Sequence, residues 1–248
     1  IAVDDKNHLI PACEVTQDGN DLGQLHPMSQ KAKENLGLSP DAALETHADT
    51  GYHSGAQLTA CHEHNTEVYV PAPGSKAGSE GVYEESDFTH HPAEQGGDPR
   101  SDYYICPNGE ALKRKKDDLL PNGRGYRVYA ATRESCLDCP LKSSCTKNQF
   151  RKLRVSVHKE VIDEVERRMD KAPDSPRKRA SLVEHPFGTF KDWTGSRHLL
   201  GKGLEHAEAE VKTTFWSYNF KRALKICGMT ALIEAFSAKP TGPQATTA

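Results

Sequence analysis

The sequence predicts an α/β chain, a sheet with helices packed on it, interrupted by a small β-rich segment that carries cysteines. Three observations predict it. Short apolar runs and helical spacings follow one another over the first 75 residues in the order strand, strand, helix, strand, helix, strand. Residues 73–101 are rich in Gly, Pro, Ser and acids and have no period, so they read as a loop or linker. From residue 103 to 157 short β runs stand between cysteines, and beyond 158 the spacing becomes helical. The expected organisation is therefore a first part of the core (1–75), an insert with its linker (76–157), a helical second part (158–228) and a disordered tail (229–248).

Taken in order, residues 1–3 and 8–15 form two strands joined at Asp4-Asp5-Lys6-Asn7. Residues 21–36 form a helix, with Leu22, Leu25, Met28, Ala32 and Leu36 at helical spacing and Asp18 or Asn20 as its cap. A short strand over 43–48 ends at Asp49-Thr50-Gly51-Tyr52. A helix then runs from Ser54 to about Glu63, and a strand over 66–70 stops at Pro71. Beyond the cysteine segment, helices are expected over 159–169, 178–190 and 204–226. In the last of these Val211, Phe215, Tyr218 and Leu224 recur, and Gly228 is its C-cap. Cys13, Cys61, Cys227, Trp193 and Trp216 read as core residues.

Composition narrows the functional classes. No apolar stretch approaches the roughly 18 residues of a membrane span, and no signal-peptide pattern is present, so a cytoplasmic protein without a membrane partner is expected. Ile1 stands inside an apolar alternating run, which is read as the sign of a fragment. The net charge of −3 hides an asymmetry: residues 1–100 hold 17 acidic against 5 basic side chains, and residues 142–180 hold 12 basic against 6 acidic. A basic stretch beside an acidic one suits a phosphate-binding face next to a carboxylate metal site; a solvated helix surface of mixed charge reads equally well.

Two carboxylates stand out. Asp49 follows a strand and precedes Gly51, at the end of a sheet where α/β folds place ligands; a lone Asp before Thr-Gly is more commonly a turn residue. Glu184 lies seven residues before Lys191, about two helical turns, so a metal-binding carboxylate and a phosphate-binding ammonium can share a face. The plainer reading is an amphipathic helix with a surface ion pair, and Pro186 requires that helix to start or bend there.

Ala48-Asp49-Thr50-Gly51-Tyr52, followed by Val183-Glu184-His185-Pro186-Phe187-Gly188 and Lys191, resembles the DDE transposases of bacterial insertion sequences. Within them it is similar to the group with a Tyr-Arg-Glu-Lys signature, and Tyr218-Asn219-Phe220-Lys221-Arg222 resembles that family's closing helix. The resemblance implies a ribonuclease H-like core and three acids holding two divalent metals, Mg²⁺ or Mn²⁺. Phosphodiester hydrolysis and strand transfer at transposon ends would follow, with self-association on double-stranded DNA. Asp49 matches the second acid and Glu184 the third. Arg179 and Lys191 match the basic pair, although Arg179 stands five residues before Glu184, where four is usual, and no Tyr stands just upstream of it. The first acid is expected upstream of Ile1, with Asp4 and Asp5 in a turn, so this chain alone is expected not to cut DNA.

Cys106, Cys136, Cys139 and Cys145 lie in the insert, with one CxxC and a Pro-Asn-Gly turn after Cys106. Four thiolates in a small β-rich segment suit a structural Zn²⁺; reduced free cysteines are the other reading. Two further functions are set against the transposase. One is a zinc-containing DNA-binding remnant without catalysis. The other is an unrelated ribonuclease H-like nuclease, which the 135-residue separation of Asp49 and Glu184 fits less well.

Overall fold

The computed structural model describes residues 1–73, 83–94, 97–98, 101–120, 124–189 and 199–237. It is a mixed α/β chain of two compact units, one formed by Ile1–Ala72 with Val165–Ala248 and the other by Pro73–Glu164.

The first unit opens with a hairpin reduced to one antiparallel bridge, Ala2 to Ala12. Its turn is closed by Asp4, whose carboxylate accepts from the backbone N–H groups of Lys6, Asn7 and Leu9. This engages both oxygens and makes Asp4 a turn residue, as its position suggests. Helix α1 (Leu25–Asn35) begins later than its apolar spacing suggests. Gln24 stands at its N-cap without a side-chain cap, while Asp18 accepts from the Gln24 amide and Asn20 from the N–H of Leu22.

Strand β1 (Leu44–His47) pairs in parallel with β2 (Thr66–Tyr69), from Leu44 opposite Thr66 to His47 opposite Tyr69. Parallel neighbours require a crossover, and α2 (Gly55–Glu63) supplies it. Leu25, Ala32, Leu58, Cys61, Val68 and Val70 are buried. So is the Lys33 side chain, whose ammonium donates to the carbonyls of Pro40 and His64. Its burial holds its pKa below the usual lysine value.

Helices α5 (Lys159–Lys171), α6 (Ser175–Gly188) and α7 (Leu204–Ser237) follow in sequence. α6 contains Pro186 two residues from its end, where the ring leaves the Leu182 carbonyl without its helical N–H donor, and Pro186 is buried. α7 packs Phe215 and Tyr218 on Ile10, and Asn219 both donates to the carbonyl of Ile10 and accepts from its N–H. At Gly228 the φ angle is +80° and the helix kinks. This is the stop expected there, but the chain resumes as helix to Ser237, so the disordered tail expected from 229 is corrected over 229–237. Residues 238–248 lie outside the described ones. Trp216 and Cys227 are exposed, against the expectation of core positions. Trp216 is one residue past Phe215, about 100° around the helix, and stacks on Phe220. Trp193 lies outside the described residues.

The second unit is a five-stranded antiparallel sheet in the order β3 (Thr89–His91), β4 (Tyr103–Ile105), β5 (Ala111–Leu119), β6 (Gly125–Ala130), β7 (Lys152–Ser156). Two short helices, α3 (Arg133–Leu137) and α4 (Lys142–Cys145), stand between β6 and β7. Alternation puts Tyr104, Leu112, Tyr129, Leu153 and Val155 on one face, where they are buried with Phe88. The buried Asp102 accepts from the hydroxyl of Tyr129 and is paired with His90 and Arg114.

Candidate catalytic site

Asp49 stands just past β1, whose pairing is carried one step further by the N–H of Ala48 donating to the carbonyl of Tyr69. Its backbone is extended, and its Oδ1 accepts from the N–H of Thr50 to start a single 3₁₀ turn, Thr50–Tyr52. The Asp49 side chain is exposed, and its Oδ2 faces the Arg179 guanidinium at 3.8 Å. Asp21, which sequence reasoning did not single out, reaches the same turn: its Oδ2 is 3.8 Å from where a Cβ on Gly51 would lie. Burial pushes the Tyr52 hydroxyl pKa up, and the nearby Asp21 and Asp49 push it further. The only signal for Asp21 in the sequence was its place at a helix start, which marks a cap and not a site.

α6 is fastened to β1 at its N-terminal end. The Ser175 hydroxyl is 2.6 Å from Nδ1 of His47, whose Nε2 is 2.7 Å from Glu45. Lys178 donates to Glu45 at 3.1 Å and stands 3.8 Å from Asp5. His47, followed by Lys178, holds the Glu45 carboxyl below its usual pKa. Thus Arg179 meets Asp49 because the preceding turn of its helix is clamped to the strand that leads to Asp49.

Glu184 is on the same helix and exposed. At 3.6 residues per turn it lies about 180° around the axis from Ser175, so the face that meets β1 presents Arg179 to Asp49. Among the described residues no group of three or more His, Cys, Asp or Glu side chains is arranged to hold a metal ion. Lys191 lies outside the described residues.

In the second unit Cys106, Cys136, Cys139 and Cys145 line one small enclosure of about 20 Å³, together with Leu112, Ala131 and Arg151. All four are free thiols. The turn after Cys106 folds back on it: Gly109, with φ at +84°, donates to its carbonyl and the N–H of Glu110 donates to its sulfur at 3.3 Å. Burial raises the Cys145 thiol pKa; Arg151 opposes the rise and the other three cysteines add to it. No helix among the described residues is long and apolar enough to cross a membrane.

Residues 105–224 match a family model described as a transposase DDE domain. The matched stretch contains the four cysteines, Arg179, Glu184 and Lys191, and it begins after Asp49. No curated protein and no solved structure matches the chain.

Proposed function

We propose, on the premise that a chain matched over residues 105–224 by the transposase DDE domain is a DDE transposase, that Asp49 and Glu184 are two of its catalytic acids. The observation that carries the reading is the contact between Asp49, at the C-terminal end of a parallel strand, and Arg179, on the helix that bears Glu184. The order hairpin, helix, strand, crossover helix, parallel strand supports a ribonuclease H-like core around them.

The donor chemistry, carboxylate oxygens, suits Mg²⁺ or Mn²⁺, but Glu184 faces away from the side of α6 that meets Asp49, so the two acids would have to be brought together to share an ion. Both carboxylates are exposed and offer the hard oxygens these ions take, and only one Asp49 oxygen is engaged by the backbone. Bound there, divalent metal supplies Lewis-acid stabilisation and an activated oxygen nucleophile for attack on a phosphodiester. Arg179 and Lys191 engage the phosphates of double-stranded transposon ends and target DNA, and Arg179 leaves Asp49 to do so. Two acids are assigned out of a set of three, so we read this chain by itself as unable to cut DNA, and self-association on DNA belongs to the same reading. The four cysteines, which line one small enclosure, would be the residues to hold a structural Zn²⁺, because soft thiolates suit that ion; as they stand their sulfurs are not arranged as a metal site.

A second reading, a zinc-containing DNA-binding chain without catalysis, draws on the same cysteines. Mn²⁺ binding, followed by the loss of the free-ion electron paramagnetic resonance signal, separates the two. Saturable Mn²⁺ binding that drops at least tenfold in both Asp49→Asn and Glu184→Gln is expected of the catalytic reading. Binding equal to the parent's in both variants would overturn it.

A further inference from the structure

The outer face of the five-stranded sheet carries an arrangement that the catalytic reading does not use. Side chains alternate across a sheet, so the residues opposite the buried Tyr104, Leu112, Tyr129 and Leu153 share the other face. One row runs straight across all five strands: His91, Tyr103, Lys113, Ala130, Lys152. The next row holds Lys116, Val128 and Arg154, and the third Asp118, Tyr126 and Ser156. An irregularity between Arg114 and Lys116 inserts one extra residue in β5. Without it Lys116 would fall on the core face; with it Lys113 and Lys116 stand on the same side.

Lys113, Lys116, Lys152 and Arg154 are all exposed. Asp118 is the one carboxylate in these rows, paired with Lys116 at 2.6 Å and near Arg154 at 3.7 Å. The face therefore carries a surplus of cations in a chain whose net charge is −3. Aromatic groups lie among the cations. The rings of His91 and Tyr103 stack at 4.9 Å with 8° between their planes, and the Arg154 guanidinium lies 4.8 Å from the centre of the Tyr126 ring. Lys113 and Lys152 are two strand spacings apart, roughly 10 Å.

We propose that this sheet face binds a single DNA strand, with Lys113, Lys116, Lys152 and Arg154 on its phosphates and an unpaired base stacked on the His91–Tyr103 pair. Cations alone suit any polyanion. Cations interleaved with flat rings across a sheet face, above Ala130 and Val128, which are themselves buried, suit nucleic acid whose bases are unpaired, because each base offers a π-face and a duplex keeps its bases stacked inside. The site rests on the DNA-transposing reading and adds to it a surface for strands freed when transposon ends are opened.

The test is fluorescence anisotropy of the full chain with a labelled oligonucleotide of about 20 nucleotides, single-stranded and duplex, over a range of salt. Parent protein is expected to prefer the single strand. Lys113→Gln/Lys152→Gln/Arg154→Gln should weaken binding at least tenfold and flatten the log–log salt slope by about 0.7 per cation removed. Lys113→Arg/Lys152→Arg should bind like the parent. Tyr103→Leu, which keeps apolar bulk, should weaken single-strand binding about tenfold and leave duplex binding unchanged. Each variant's thermal midpoint reports whether it is folded. If the folded triple-Gln variant binds within twofold of the parent, or duplex is preferred and Tyr103→Leu is silent, the face is misassigned. The Mn²⁺ result at Asp49 and Glu184 then stands on its own. A parent that binds no DNA, or prefers an acidic peptide, overturns this proposal while the Mn²⁺ assay still reads the acids.

Discussion

Asp102 shows how one side chain can set the pH range of a unit. Burial alone would raise its pKa, but hydrogen bonds from the Tyr129 hydroxyl and His90, with the nearby Arg114 charge, outweigh it and leave the pKa below the usual carboxylate value. The unfolded chain, with an ordinary Asp near 3.9, therefore takes up a proton at a higher pH than the folded one. The resulting stability is fully present above about pH 4 and is lost as pH falls through the folded pKa. Asp102→Asn should lower the urea midpoint at pH 7, because Tyr129 and Arg114 lose a charged acceptor, and should flatten the fall of that midpoint below about pH 4. Near-ultraviolet circular dichroism of the buried tyrosines reads it. An unchanged acid limb in the variant would remove Asp102 from the account.

At the scale of elements, α3 has five residues and α4 four, far below the roughly 12 that an isolated helix needs. Three of the four enclosed thiols come from these two helices and the link between them, so a Zn²⁺ held there would do what intrahelical bonds cannot. Anaerobically purified protein should carry about one Zn per chain. Its removal by a chelator should speed amide exchange over 133–146 and leave α7 unchanged, and Cys136→Ser/Cys139→Ser should reproduce that pattern. Metal-free protein with the same protection would mean that the thiols are simply packed. The elements themselves were legible wherever period and punctuation agreed. The strand before Asp49, the crossover helix and the α7 face with Phe215 and Tyr218 are where apolar spacing puts them. What escaped depended on neighbours. Trp216 and Cys227 are apolar by type, but the sides of α7 they occupy are left uncovered. The caps at Asp18 and Asn20 went instead to a loop ahead of α1. The carboxylates were legible as residue types, but the Asp49–Arg179 contact follows from Ser175 and Lys178 clamping α6 to β1, which no local pattern announces. The cation face depends on a register shift at Lys115 that strand alternation alone would have missed.

For the molecule as a whole, charge poses a test that separates local from global attraction. The sequence pI is about 6.5 and there are twelve histidines, so the chain changes net sign within the ordinary working range. His26 and His53 join that change at a lower pH than an ordinary histidine, because burial lowers their pKa. If net charge governed DNA binding, affinity would appear below about pH 6.5 and vanish above it. If the sheet face governs it, the contacting groups are Lys and Arg, which stay charged from pH 6 to 8. Binding should then persist at pH 8 on a net-negative protein, with a salt slope that changes by less than one phosphate contact over that range. Measuring anisotropy against salt at pH 6, 7 and 8 decides between them. Loss of binding at pH 8 would assign recognition to the overall field and its histidines, and the rows of Lys113 and Lys116 would then be a solvated surface.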